Sequence, residues 1–369
     1  MIYLDHHAAA PLPDAVRRAM QEAADSAWAN PSSTHAAGRA SRRLLEASRQ
    51  DIAGSIGANP ADLVLTGGGT EACNLGIRGL AAGRRRIVTS QVEHPAVAES
   101  VRRLEREGRQ VISLGVVEGR PPSPEELASH LGPDTLVAIQ WVNHETGTVF
   151  PVAGYAQACR QSQARLFIDA TQALGKLPVD VSTLQADAMA IAAQKIGGPA
   201  GAGACWVRRG NALEPVLDGG SQERGRRPGT PDTLSMVGFG ASCRLVPDRL
   251  AQQARLAALR DRLESTLIAL GGLANAGTPR TGTVANLSFR GWQGPVLAAA
   301  LDVEGICIST GAACSSGLQE PSAVIRAMYP DAQWRAGSAV RISLGIENTE
   351  QDIETTSHAF QRVLARAGV

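Results

Sequence analysis

The chain has 369 residues, of which 44% are hydrophobic, and its 36 basic and 35 acidic side chains leave a formal net charge of +1 at pH 7. This balance excludes nucleic acid as the main partner, and the lack of a long apolar window excludes a membrane-spanning protein. The opening stretch MIYLDHHAAAPLP shows no basic region followed by an apolar core, so we expect a cytoplasmic protein. Six cysteines without a C-x-x-C pair argue against a zinc site or a disulfide framework, and we expect no metal.

The first hundred residues predict a ligand-binding edge. Residues 1–15 are an irregular entry segment, and Asp14 can cap a helix from Val16 to Ala24, followed by a second helix at about residues 35–57. A strand at 62–66 leads into the sequence GGGTEA, and a helix continues through Leu80. Glycines before a helix N-terminus let the backbone approach an anion, which indicates a monophosphate site at Gly69 and Thr70. The alternative is an ordinary tight turn.

Strands and helices then alternate. Strands at 86–90, 111–116 and 135–142 are separated by helices at 95–106, 124–130 and 152–160, a pattern typical of a mostly parallel sheet covered on both faces. His94 follows one strand end, where it can stack on an aromatic ligand or move protons, although a histidine at a helix start often has no such task. Asn143 and His144 follow another strand end, or simply form a polar turn.

The stretch from 165 to 201 places an acid and an amine at neighbouring strand ends. Asp169 ends the apolar run 166–168, and Lys195 follows the apolar run 186–193. Pyridoxal 5′-phosphate (PLP) chemistry requires such a pair, because a lysine holds the aldehyde as a Schiff base and an acid keeps the pyridine nitrogen protonated. Alternatively, Asp169 caps a helix that starts at Ala170, and Lys195 is a solvated loop cation.

After a strand at 203–207, the loop 219–230 mixes arginine, glycine and threonine in a way that suits an anion. We predict a long helix at 231–270 with a break at Pro247, and a domain boundary at the glycines near Leu270. The remainder is α+β, with strands at 283–289, 306–308 and 339–344 and helices at 295–304, 322–328 and 349–367. Cys314 lies in the small-residue loop STGAACSSGLQ, which predicts an exposed, reactive thiol. Arg341 lies in an apolar strand and needs a carboxylate partner, either structural or from a substrate.

Eleven motifs, in order, resemble those of the cysteine desulfurases, in the class V aminotransferase-like branch of fold-type I PLP enzymes. They are YLDHHAAAPLP, NPSSTH, LTGGGTEACN, EHPAV, VNHETG, DATQALGKLPVD, the lysine followed by IGGPAG, QERGRRPGT, NLSF, STGAACSSG and VRISLG. The resemblance implies an α/β fold with a large PLP-binding domain (16–250), built on a mostly parallel seven-stranded-type sheet flanked by helices. A smaller α+β domain (251–369) would carry the mobile cysteine loop and pack with residues 1–15.

The implied activity is conversion of L-cysteine to L-alanine, with transfer of sulfur to a cysteine persulfide for iron–sulfur cluster or thio-product biosynthesis. The resemblance implies catalytic roles for Lys195, Cys314 and His94, and substrate binding by Arg341 and Asn143. The implied cofactor-binding residues are Gly69, Thr70, His94, His144, Asp169, Gln172, Gln194, Lys195 and Thr230. Thr230 would reach the neighbouring site of a homodimer, and a sulfur acceptor or scaffold protein would be a further partner.

Three positions depart from the family pattern. His144 replaces the usual asparagine, and Ala192 and Gln194 replace the serine and histidine of a serine-x-histidine sequence. His144 and Gln194 can still donate hydrogen bonds, whereas Ala192 cannot. A lost hydrogen bond to a charged phosphate costs roughly 1.5–3 kcal/mol, so we expect weaker cofactor binding. The alternatives are another PLP-dependent C–S lyase, a selenocysteine lyase, a class V aminotransferase, or a catalytically impaired scaffold.

Overall fold

The computed structural model describes residues 1–311 and 320–366, which form a mixed α/β fold with three sheets. The strands are β1 (Ile2–Tyr3), β2 (Leu63–Thr66), β3 (Arg86–Ser90), β4 (Gln110–Leu114), β5 (Thr135–Gln140), β6 (Arg165–Asp169), β7 (Ala188–Ala192), β8 (Gly203–Val207), β9 (Gly272–Ala274), β10 (Val284–Phe289), β11 (Ile306–Cys307) and β12 (Ala339–Ser343). The helices are α1 (Asp14–Ala27), α2 (Ala36–Gly54), α3 (Gly69–Leu80), α4 (Pro95–Arg106), α5 (Pro124–Ala128), α6 (Val152–Gln161), α7 (Val181–Leu184), α8 (Thr233–Arg244), α9 (Val246–Ala251), α10 (Gln253–Ala269), α11 (Gly294–Val303), α12 (Ala323–Met328), α13 (Trp334–Ser338) and α14 (Glu350–Ala365).

The largest sheet has seven strands in the order β2-β8-β7-β6-β5-β3-β4. Only β8 runs against its neighbours, pairing antiparallel with both β2 and β7, so all the other strands point the same way. Gly203 is opposite Thr66 on one side and Ala192 on the other. The carboxyl ends of β2, β3, β5, β6 and β7 therefore share one edge of the sheet. The predicted fold class, a mostly parallel sheet flanked by helices, is confirmed.

Alternate residues of the buried strands face two separate hydrophobic clusters, since successive side chains of a strand point to opposite faces. Phe167 faces the cluster that includes α3 and α4, and Ile168 faces the cluster that includes α2, α6 and α8. The approach of α3 to the sheet is close enough that a Cβ at Gly76 would collide with the ring of Phe167. This packing fixes the N-terminus of α3 at the shared strand edge.

A separate antiparallel sheet has three strands in the order β12-β10-β9. It packs with side chains of α10, α11 and α14 in a hydrophobic cluster of its own. The chain's first residues join it: β1 pairs parallel with β11, and Leu4 is fully buried in that cluster. The domain boundaries at residues 15 and 250 stay predictions.

Several elements differ from the predictions. The long helix predicted for 231–270 is three helices, with interruptions at Leu245 and Gln252; Pro247 lies in the first turn of α9, where proline is tolerated. Asp14 does not cap α1 but is its first residue, and Pro13 occupies the N-cap position. No helix starts at Ala170, where the chain forms a turn. In the described ranges, no helix is both long and apolar enough to cross a membrane.

Candidate active site

Five predicted site residues follow the strand ends that share one sheet edge. Asp169 ends β6, and Lys195 lies three residues beyond the end of β7. His94 is the N-cap of α4 after β3, His144 follows β5, and Gly69 starts α3 after β2. In an open α/β sheet this is the edge where ligands bind.

Asp169 is buried, and one of its carboxylate oxygens holds the turn that follows β6. Its Oδ1 accepts bonds from the backbone N–H of Thr171 at 3.0 Å and from the Thr171 hydroxyl at 2.6 Å. Asp169 therefore stabilises a turn and does not cap a helix, which was the alternative considered from sequence. Burial lowers the pKa of His94, and the Asp169 charge acts in the opposite direction, so the two side chains are electrostatically linked.

Lys195 lies against the N-terminal segment. Its Nζ donates to the carbonyl oxygens of His7 and Ala8, each at 2.8 Å. The backbone N–H of Ala10 donates to the carbonyl of Gln194 at 2.8 Å, which attaches the same segment to the turn before the lysine. Residues 7–10 therefore form one wall of the site and orient the amine.

His94 and His144 make an edge-to-face contact, with ring centroids 5.0 Å apart. Burial lowers the pKa of both, most strongly for His144, where His94 and Arg341 add to the effect. The Nδ1 of His94 accepts a bond from the backbone N–H of Ala96 at 3.1 Å, so the ring proton of the neutral imidazole is on Nε2. Both rings are accordingly neutral at pH 7.

The N-terminus of α3 has the features of a phosphate site. Gly68 occupies the N-cap with φ of 137°, and no side chain caps the helix. A Cβ at Gly69 would lie 2.8 Å from Thr171 Cγ2 and 3.1 Å from Ala192 Cβ, so the position that departs from the family pattern faces this helix end. Thr70 is exposed beside it. An anion here would receive backbone N–H groups but no hydroxyl from residue 192.

Buried polar atoms without partners mark the space where a polar ligand fits. Among the described residues, Gln194 Oε1, His144 Nδ1 and Arg341 Nε are buried with no hydrogen-bond partner. Such atoms are costly unless a ligand or water satisfies them. Gln172, by contrast, has a partner at each polar atom: its Nε2 donates to the His7 carbonyl at 2.8 Å and its Oε1 accepts from Lys176 Nζ at 3.0 Å. The donor set therefore fits an aromatic ring with several polar substituents, such as PLP.

Arg341 has a structural carboxylate partner. It lies in β12, almost fully buried, with Nη2 2.7 Å from Asp5 Oδ1 and Nη1 donating to the His144 carbonyl at 3.1 Å. Asn143 is also buried, with its amide donating to the Val92 carbonyl and its Oδ1 accepting from the loop that follows. Direct substrate contact by Asn143 would require these bonds to be exchanged, and both substrate-binding roles stay predictions.

Thr230 and Cys314 are the two predicted site residues that remain. Thr230 is exposed in a groove beside Trp28, and Lys195 does not line this groove. Cys314 lies in 312–319, outside the described residues. Described residues on either side of 312–319 contact Glu145. Ser322 Oγ donates to Glu145 Oε2 at 2.6 Å, and Gly311 packs against the same carboxyl group. Burial raises the pKa of Glu145 to about 7.

The sequence analysis missed three residues at the site: Asp5, His7 and Lys176. Their signal was present in the motifs YLDHHAAAPLP and DATQALGK, which contain a paired histidine and a lysine in an otherwise apolar stretch. Burial lowers the pKa of Lys176 to about 7, with Lys195 the largest charged contributor. No group of three or more metal-ligating side chains occurs in the ranges that the structure describes.

Comparisons with known proteins agree with the motifs. The family model "Aminotransferase class-V" matches residues 2–356. The chain is 39% identical to an "IscS-like cysteine desulfurase" of Mycobacterium tuberculosis, over 100% of this chain and 97% of the relative. A solved "NIFS-LIKE PROTEIN" superimposes with a TM-score of 0.92 at 28% identity over 99% of both chains. A structure titled "SspA in complex with cysteine" does so with a TM-score of 0.81 at 29% identity, over 93% of this chain and 99% of that one. The resemblance inferred from sequence is confirmed.

Proposed function

The chain belongs to the class-V aminotransferase family, in its cysteine desulfurase branch, and on that premise we propose that it converts L-cysteine to L-alanine with PLP as cofactor. The sulfur passes to Cys314 as a persulfide. The observation that carries the proposal is the placement of Asp169 and Lys195 at neighbouring strand ends, with unpartnered polar atoms on Gln194, next to the lysine, and on His144, whose ring contacts His94. An acid and an amine in this arrangement suit the two ends of a pyridine aldehyde.

The residues present would hold the cofactor as follows. Lys195 would bind its aldehyde, Asp169 its ring nitrogen, and the N-terminus of α3 with Thr70 its phosphate. His94 would lie against the ring, and Gln172 would donate the second N–H of its Nε2 to the phenolic oxygen. When bound, PLP supplies an electron sink for bonds broken at the amino-acid Cα.

The protein side chains then divide the remaining tasks. His94 is neutral near pH 7, so its ring would accept a proton at Nδ1 once the bond from the Ala96 N–H is exchanged, and would then return that proton. Arg341 would orient the substrate carboxylate, which competes with Asp5 for the same guanidinium. The Cys314 thiolate attacks the substrate sulfur: an S–S bond forms, the C–S bond breaks, and the substrate carbon gains a proton. Cysteine and the Cys314 thiol thereby become alanine and a persulfide with no added reductant.

We propose further that the chain works as a homodimer in which Thr230 completes the partner's phosphate site. Its exposure in a groove that its own Lys195 does not line supports this arrangement. The persulfide would pass to an acceptor or scaffold protein that serves iron–sulfur cluster or thio-product biosynthesis.

Mass spectrometry after incubation with L-cysteine tests the proposal. We expect free alanine and one added sulfur on Cys314 in the native protein. Cys314→Ser should form no persulfide and transfer no sulfur. Lys195→Ala should form no alanine, and borohydride reduction should no longer link the cofactor covalently to the protein. Pyruvate or transamination products that persist in Cys314→Ser would instead identify a lyase or an aminotransferase. If the purified protein binds no PLP, the chain is a catalytically impaired scaffold.

A further inference from the structure

A small cavity lies beside Lys195. It has room for about 30 Å³ and is lined by the turn Leu174–Lys176, by Arg249 of α9, by Gln253 of α10 and by residues 344–346. A cavity needs roughly 10–15 Å³ of space for a water-sized sphere to hold one water molecule, so this cavity has room for a small ion.

Arg249 is built into the wall of this cavity. It is 7% exposed, and its Nε and Nη2 have no hydrogen-bond partner among the described residues. The side chain passes between two glycines with left-handed backbone: a Cβ at Gly197 would lie 2.6 Å from Nη2, and one at Gly175 would lie 3.4 Å from Cδ. The glycines therefore leave room for a buried guanidinium that the protein itself does not satisfy. Leaving a buried charged group unpaired is costly.

Lys176 adds a second buried basic side chain on the same cavity. Its Nζ donates to the neutral amide oxygen of Gln172 at 3.0 Å. Within the part of the chain that the structure describes, neither Lys176 nor Arg249 forms an ion pair with a carboxylate. The nearest acidic influence on Arg249 comes from Glu347, whose side chain is exposed. Two basic side chains thus face one small space and are hydrogen-bonded to neutral groups at most, with the Glu347 carboxylate near the cavity wall at Gly345.

We propose that this cavity binds a monatomic anion such as chloride. Such an ion accepts N–H bonds from Arg249 and neutralises the charge shared with Lys176, whereas a water molecule in the same place would do only the first. Gln253 Nε2 donates to the Gly175 and Arg249 carbonyls at 3.3 and 3.1 Å, which fixes the orientation of its amide, so the N–H groups for the ion come from Arg249 and Lys176. The bound anion would also reduce the positive potential at Lys195. The inference is independent of the proposed function, because its test requires no turnover.

Bromide provides the probe, since its anomalous scattering distinguishes it from water. In crystals of the purified protein soaked in sodium bromide, we expect an anomalous peak in the cavity. The peak should vanish in Arg249→Met, which keeps the length of the side chain but removes its N–H groups. It should remain in the control Arg262→Met, a surface change on α10 where the guanidinium pairs with Glu354.

Thermal unfolding gives a second measurement in solution. The midpoint should rise with the logarithm of bromide concentration in the native protein and in Arg262→Met, relative to sodium gluconate at equal ionic strength. Arg249→Met should show no such rise; if it does not fold, Lys176→Met is measured in its place and should show a rise reduced by at least half. Density for water without an anomalous peak, or equal bromide stabilisation in the variant, would overturn the proposal.

Discussion

Glu145 gives the most direct test of the electrostatics around the segment that bears Cys314. Its carboxyl group is buried, accepts a hydrogen bond from Ser322, and has its pKa raised by burial to about 7, against 4.5 ordinarily. The folded state therefore binds the proton more tightly than the unfolded state. The stability from this group is complete below pH 4.5 and is lost as the pH rises to about 7, with a total of about 3 kcal/mol at about 1.4 kcal/mol per pH unit.

Glu145→Gln removes the titration and keeps an acceptor for Ser322. We expect the difference in unfolding free energy, variant minus native, to grow in the variant's favour by about 3 kcal/mol between pH 4.5 and 7.5. Urea unfolding at matched pH values measures it, and only the difference is used, because other titrations are common to both proteins. Glu105→Gln, an exposed change on α4, should give a difference that does not vary with pH. A flat difference for Glu145→Gln as well would refute the reasoning.

Two further predictions concern the predicted phosphate site and the loop 222–230. Ala192→Ser should tighten PLP binding about 10- to 100-fold in a spectroscopic titration, because a hydroxyl is placed beside the N-terminus of α3; an unchanged affinity would contradict a phosphate at that position. Arg49→Met should lower the urea-unfolding free energy by about 3–5 kcal/mol, because Arg49 Nη2 lies 2.6 Å from the buried Glu223 Oε1 and the carboxylate would keep the Leu65 N–H but lose its cationic partner. Adding Glu223→Gln should restore part of that loss; a single variant as stable as the native protein would show that solvent replaces the pair.

Much of the large sheet could be predicted from local pattern. The strands Arg86–Ser90 and Gly203–Val207 and the helix Pro95–Arg106 occur at the predicted bounds. Each is a buried or one-sided apolar run, and proline at the first helical position defines the start of α4. Strands β1 and β9, with two and three residues, were missed because so short a run has no period, and their pairing depends on residues far away in the chain.

The candidate site was predictable where chemistry and strand ends coincide, as at Asp169 and Lys195. The hydrogen-bond partners of Lys195 could not be predicted. They are the backbone carbonyl oxygens of His7 and Ala8, and the side-chain sequence does not indicate which backbone groups accept a bond. Lys176 was missed because only tertiary packing buries it. The catalytic and binding roles of these residues stay predictions until variants are measured.

The entry segment links the two cations that the proposed reaction uses. Asp5 holds Arg341, the carbonyl oxygens two and three residues later hold Lys195, and Ser343 of β12 bonds to the backbone between them. A shift of β12 relative to the seven-stranded sheet would therefore move residues 5–8 and, with them, the backbone oxygens that bind Lys195. Proteolytic nicking at this point should loosen both cations together, even though every catalytic side chain would still be present.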